Sequence, residues 1–100
     1  MAVPVKTTAE DEKMKKPDLW LKCNVSSGIL PGEYAIEAKR ADGRTISFFA
    51  SEEYVKPAQR LVRVVLLDKS PDSFLIYLPA SPLEVSSRSM RVSREDIANY

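Results

Sequence analysis

Catalysis and metal binding draw on a short menu of side chains, and this chain carries little of it. It has no histidine and a single cysteine, Cys23. The commonest general base and metal ligand is therefore missing. Cys23 lacks an imidazole to lower its pKa and alternates with Leu21 and Val25, the setting of a structural thiol inside a strand. One cysteine does not make a zinc site. Adjacent carboxylates occur at Glu52-Glu53 and Glu95-Asp96, in segments where acids are ordinarily solvated or favour the first turn of a helix. No nearby pattern promises a pocket that would raise such a carboxylate into general-acid range. No Walker-type or dinucleotide-type glycine pattern occurs, and three glycines leave little room for one. The expectation is a non-enzymatic protein, without metal or cofactor, that acts by binding.

Three groups of residues qualify for binding. The first is aromatic: Trp20, Phe49, Tyr54 and Tyr77 fall on or near faces expected to look toward solvent, and exposed aromatics mark protein interfaces. They point to a protein or peptide partner. The second is basic: Arg88, Arg91 and Arg94 are spaced along one segment, as in small β-barrels that hold single-stranded nucleic acid. Charge opposes that alternative, since residues 18–100 hold eleven basic and eleven acidic side chains. A backbone-gripping domain usually has a basic excess, because counterion release supplies its affinity. The third group is Asn24-Val25-Ser26-Ser27-Gly28. It resembles, one residue short, the Asn/Asp-x-Ser-x-x-Gly element of PilZ-type barrels. The resemblance implies a cyclic-dinucleotide sensor. That family also uses an upstream arginine pair, and here no arginine precedes Arg40.

The elements that must position these residues are strands. Residues 1–17 are polar, carry Pro4 and Pro17 and show no period, so they read as a disordered arm. Glu12 and Lys16 within it have the spacing of a short helix over Glu10–Lys16. From Asp18 the period is 2, with Leu19, Leu21, Cys23 and Val25 on one face of a single strand. Leu30-Pro31-Gly32-Glu33 matches a type II turn. Tyr34–Ala38 and Ile46–Ala50 flank Ala41-Asp42-Gly43 as a hairpin. A two-residue turn would set Ile36 against Phe49. A three-residue loop with Gly43 as a left-handed bulge matches Ala38 with Ile46, Ile36 with Phe48 and Tyr34 with Ala50. The second register gathers the apolar residues on one face, at the cost of an Arg40–Arg44 pair at the loop.

Ser51–Gln59 reads as a polar connection, with Pro57 barring a central strand and Val55 free to reach the core. Arg60–Asp68 is a nearly continuous apolar run, the mark of a strand buried on both faces or bent to serve two walls. Phe74, Ile76 and Leu78 alternate again, as do Met90 and Val92 within Arg88–Val92. Ser93 is placed to cap a final helical turn, from which Ile97 packs down.

The predicted architecture is one all-β domain over residues 18–100. It has five or six short antiparallel strands in a partly open SH3-like barrel, with a small β-sandwich as the alternative. An edge strand of such a sheet would offer a homodimer seam. The opening Met1-Ala-Val-Pro-Val-Lys has no secretion-type apolar stretch, and no apolar run reaches membrane-spanning length. With one unpaired cysteine, the expectation is a cytoplasmic protein that does not engage a membrane.

Overall fold

The computed structural model describes residues 18–98. The arm over residues 1–17, with its short helix, lies outside the described residues. Within them the fold is all-β: two antiparallel sheets around a common core, without closure into a barrel. Eight strands replace the five or six expected: β1 (Asp18–Lys22), β2 (Asn24–Ser27), β3 (Glu33–Lys39), β4 (Thr45–Ser51), β5 (Val55–Lys56), β6 (Leu61–Lys69), β7 (Ser73–Tyr77) and β8 (Ser89–Ser93). One sheet runs β1-β6-β7-β8 with β5 also paired to β6. The other runs β2-β3-β4.

Part of the higher count comes from a division at Cys23. The single strand expected from Leu19 to Val25 is two strands in two sheets. β1 pairs β6 as far as Lys22 opposite Leu61, and β2 pairs β3 from Asn24 opposite Glu37. At the corner the Cys23 N–H donates to the Arg60 carbonyl at 3.1 Å. Arg60 adopts left-handed backbone angles, φ 58° and ψ 52°, which non-glycine residues enter only under surrounding constraint. Alternation alone does not reveal this change of sheet, because an extended chain keeps its period through a bend.

The hairpin forms in the register that collects its apolar side chains. Tyr34 lies opposite Ala50, Ile36 opposite Phe48 and Ala38 opposite Ile46. The Arg40 N–H donates to the Arg44 carbonyl at 2.7 Å, and Gly43 takes φ 91°. Asp42 steadies the loop: its Oδ1 accepts the Arg44 backbone N–H at 3.0 Å, and its Oδ2, 3.7 Å from Arg40 Nη2, offsets the charge of Arg40.

β6 has neighbours on both edges. β1 flanks Leu61–Val65 on one, while β5 and β7 share the other. Val62, Val64 and Leu66 enter the core; Leu61, Arg63, Val65 and Leu67 are half-buried on the outer face. Leu67 is passed over where the β7 register shifts between Leu66 and Asp68, a bulge that increases local twist. Val55, Phe74, Ile76, Leu78, Met90 and Val92 complete the core as the pattern predicts. The chain after Ser93 makes the expected final turn, but without the expected cap. Arg94–Asp96 is a single 3₁₀ turn without a side-chain cap, and Ile97, buried, forms a bridge with Leu21.

Three terminal strands receive hydrogen bonds from outside their sheets, which blunts their exposed edges. Ala98 N–H donates to the Trp20 carbonyl on β1 at 2.8 Å, and Ala41 N–H to the Arg91 carbonyl on β8 at 2.8 Å. On β4, Ser47 accepts from Leu83 N–H at 2.8 Å and donates to Glu84 Oε1 at 2.7 Å. The segment after β7 thus mimics a strand along β4. The Ser47 backbone N–H holds the Glu84 carboxyl below the usual carboxylate range.

The core and its edge are open to two measurements. Phe48→Ala should cost about 3–5 kcal/mol, as for a fully buried aromatic, whereas half-buried Phe49→Ala should cost less than half as much; urea denaturation ranks the two. A carboxyl whose folded pKa is depressed contributes stability above its unfolded pKa, and that contribution fades as pH falls through the folded value. Glu84→Gln should therefore be less stable than wild type at neutral pH, with the gap closing in acid. A gap independent of pH would contradict the charged contact to Ser47.

Candidate interaction surface

The outer face of the five-stranded sheet is set by which residues alternate away from the core. Leu19 and Leu21 point inward on β1, so Trp20 points outward and lies opposite Arg63 of β6. Val65 lies between Asp18 on one side and Tyr77 on the other. Tyr54, at the end of a 3₁₀ turn before β5, completes this neighbourhood. Tyr54, Tyr77, Arg63 and Arg88 line one cavity of about 250 Å³ together with Asp18, Val65, Leu78 and Pro79.

Each of the three aromatics on this face has a cation against its ring. Lys56 Nζ is 4.2 Å from the Trp20 centroid, the Arg63 guanidinium carbon 4.8 Å from Tyr54, and that of Arg88 4.6 Å from Tyr77. Such stacks hold long side chains in place and contribute about 0.5–1 kcal/mol each at exposed sites. Arg88 is further fixed by donating from Nε and Nη2 to the Leu78 carbonyl at 3.1 and 2.9 Å. Arg63 Nε is 4.0 Å from Asp18 Oδ2, both side chains being well exposed, so this ion pair is loose. Lys56, Arg63 and their partnership with the rings carry no mark in the sequence. The signal that finds them is register: once β1 and β6 are paired, Arg63 must stand beside Trp20.

Phe49 does not join this surface. It sits on β4 of the other sheet, opposite Ala35 and half-buried. The three arginines also separate. Arg88 belongs to the Tyr77 stack, whereas exposed Arg91 donates to the Ser70 and Ser73 hydroxyls at 3.4 and 3.2 Å. Arg94 borders the 69–74 turn, in company with Asp72 and Glu95. Strand pairing explains the division, because Arg91 lies opposite Leu75 while Arg88 precedes β8 beside Leu78.

The other candidates have structural explanations. Asn24–Ser27 is a strand, and Asn24 Nδ2 faces the Glu37 carboxylate at 3.5 Å. Gly28 is needed for close approach: a Cβ there would stand 2.5 Å from the Glu33 carbonyl oxygen, which accepts the Gly28 N–H at 3.0 Å. Cys23 is half-buried, with its Sγ 3.7 Å from the Arg60 carbonyl. Burial pushes this thiol up to about 11, so it stays protonated and weakly nucleophilic at neutral pH. Glu52 and Glu53 are exposed in a 3₁₀ turn, and Glu95 is exposed beside half-buried Asp96. Among the described residues, no group of three or more His, Cys, Asp or Glu side chains could hold a metal ion. Nor is any helix among them long and apolar enough to cross a membrane.

The two glycines test steric against conformational demand. At Gly43 a side chain would meet nothing within 4 Å but must accept a positive φ, which costs about 1–2 kcal/mol. At Gly28 backbone atoms must move, so Gly28→Ala should be the worse substitution, by about 1 kcal/mol or more. Thermal and urea melts of both variants measure the order.

Comparison of the chain with family models, with curated proteins and with solved structures finds no match.

Proposed function

We propose that this protein is a non-enzymatic interaction module that docks a protein or peptide on the outer face of the five-stranded sheet, with Trp20, Tyr54 and Tyr77 as anchors. The observation that carries this reading is the gathering of three aromatic–cation pairs at the outer face of one sheet, with Trp20 opposite Arg63 and with Tyr54 and Tyr77 lining one cavity. Large rings that lose little entropy on binding are where interface energy concentrates. Tyr77 remains 40% exposed despite its stack. Phe49, on the other sheet, is not among the anchors. The proposal takes the form of an SH3-like module: short antiparallel strands and tight turns present a firm surface. A cytoplasmic setting belongs to the same reading and draws on the free thiol of Cys23. Its self-associating form is a homodimer through an edge strand, for which β2, exposed at three of four positions, is the best placed.

Affinity capture from the native cell tests the reading. A partner retained by the wild type should be lost, by about thirtyfold in affinity, from Trp20→Ala and Tyr77→Ala. Phe49→Ala should retain it. Circular dichroism of all three variants checks that the fold persists. Capture unchanged by Trp20→Ala and Tyr77→Ala would overturn the assignment.

A further inference from the structure

We infer that the partner segment is acidic, with a glutamate or aspartate side chain received between Arg63 and Arg88 in the cavity walled by Tyr54 and Tyr77. This inference rests on the docking role of that face and specifies its ligand. Charge is the first argument. Residues 18–100 are neutral in sum, yet the fold sorts their charges. The outer face of the five-stranded sheet and its rim gather Lys22, Lys56, Arg63 and Arg88 around Asp18, with Glu52 and Glu53 preceding Tyr54, whereas β3 of the other sheet turns Glu33 and Glu37 outward beside Lys39. The aromatic face is thus locally basic, and complementary charge selects partners and speeds encounter.

Preorganisation is the second argument. The Leu78 carbonyl occupies Nε and Nη2 of Arg88 and leaves Nη1 for a ligand. Arg63 has its Nε near Asp18 only at 4.0 Å, and its remaining nitrogens are suited to a stronger carboxylate contact. Each guanidinium already lies over a tyrosine ring, so less rotamer freedom remains to be lost. The cavity also has apolar surface in Val65 and Pro79, which suits the methylene stem of an acidic side chain. A carboxylate adds to these stacks without disturbing them. A nucleic-acid base would compete with the cations for the ring faces, because stacking needs the face each cation covers.

The test is an NMR titration of the full chain, following arginine Nε–H and tyrosine ring signals. The probes are acetyl-Glu-Ala-Glu-Ala-Glu-amide, its lysine counterpart and an oligothymidylate of about eight nucleotides. The acidic peptide should shift Arg63, Arg88, Tyr54 and Tyr77 saturably, and about tenfold more weakly after Arg63→Gln or on raising NaCl from about 50 to about 500 mM. Lys56→Gln, which leaves the Leu78 contact intact, should weaken it by a smaller factor. No saturable shift at those four residues up to about 10 mM peptide overturns the inference. So does equal response to the lysine peptide, or tighter binding of the oligothymidylate to the same residues. Self-association that moves those signals as protein concentration rises would identify a second copy as the occupant, and the acidic segment would be abandoned. A captured partner that depends on Trp20 and Tyr77 but ignores Arg63→Gln and salt would leave the docking role standing and remove its acidic ligand alone.

Discussion

β6 is the strand on which both the core and the candidate surface depend. With β1 along one edge and β5 and β7 along the other, its backbone is committed to the ladder, and only its side chains remain to be assigned. Period-2 alternation assigns them: Val62, Val64 and Leu66 go inward, and Arg63 and Val65 outward. A one-residue slip would bury Arg63 and expose Val62, Val64 and Leu66, which the desolvation cost of a guanidinium forbids. The register that protects the core is therefore the register that stands Arg63 beside Trp20 and Val65 beside Tyr77.

The outward residues of β6 are only half-buried, and what covers them is informative. No third layer lies over this face among the described residues. Its cover is lateral, from Trp20, Tyr54 and Tyr77 with their stacked cations. Cation–ring contacts of this exposure add little to stability. Their larger effect is to hold long side chains in one arrangement before any ligand arrives. A thin domain with little core to spare gains from such a device, since its binding groups are ordered by neighbours rather than by burial.

The hairpin was legible from the residues alone, because two registers differ in whether they unite or scatter Ile36, Ala38, Ile46 and Phe48, and only one unites them. The inward faces of β7 and β8 were legible for the same reason, whereas β6, apolar on both sides, read as buried on both faces and has an outer face only half-buried. The division at Cys23 was not. Leu19, Leu21, Cys23 and Val25 keep their alternation across a corner where the chain leaves β6 for β3, and no proline or glycine marks it. In the final segment the turn and the packing of Ile97 follow the sequence reading, but Ser93 makes no side-chain cap, because the turn is one 3₁₀ turn closed by the Ile97–Leu21 bridge.

The sequence by itself determined the strand class, the hairpin register, the inward residues and the scarcity of catalytic side chains, because each follows from local alternation, turn chemistry or composition. Tertiary structure alone decided which surface residues meet. Trp20, Tyr54 and Tyr77 share a face across gaps of more than twenty residues, while Phe49 goes to the other sheet and Arg88 parts from Arg91 and Arg94. Pairing between distant strands sets these proximities, and that pairing is encoded only in how all the apolar faces close on one core.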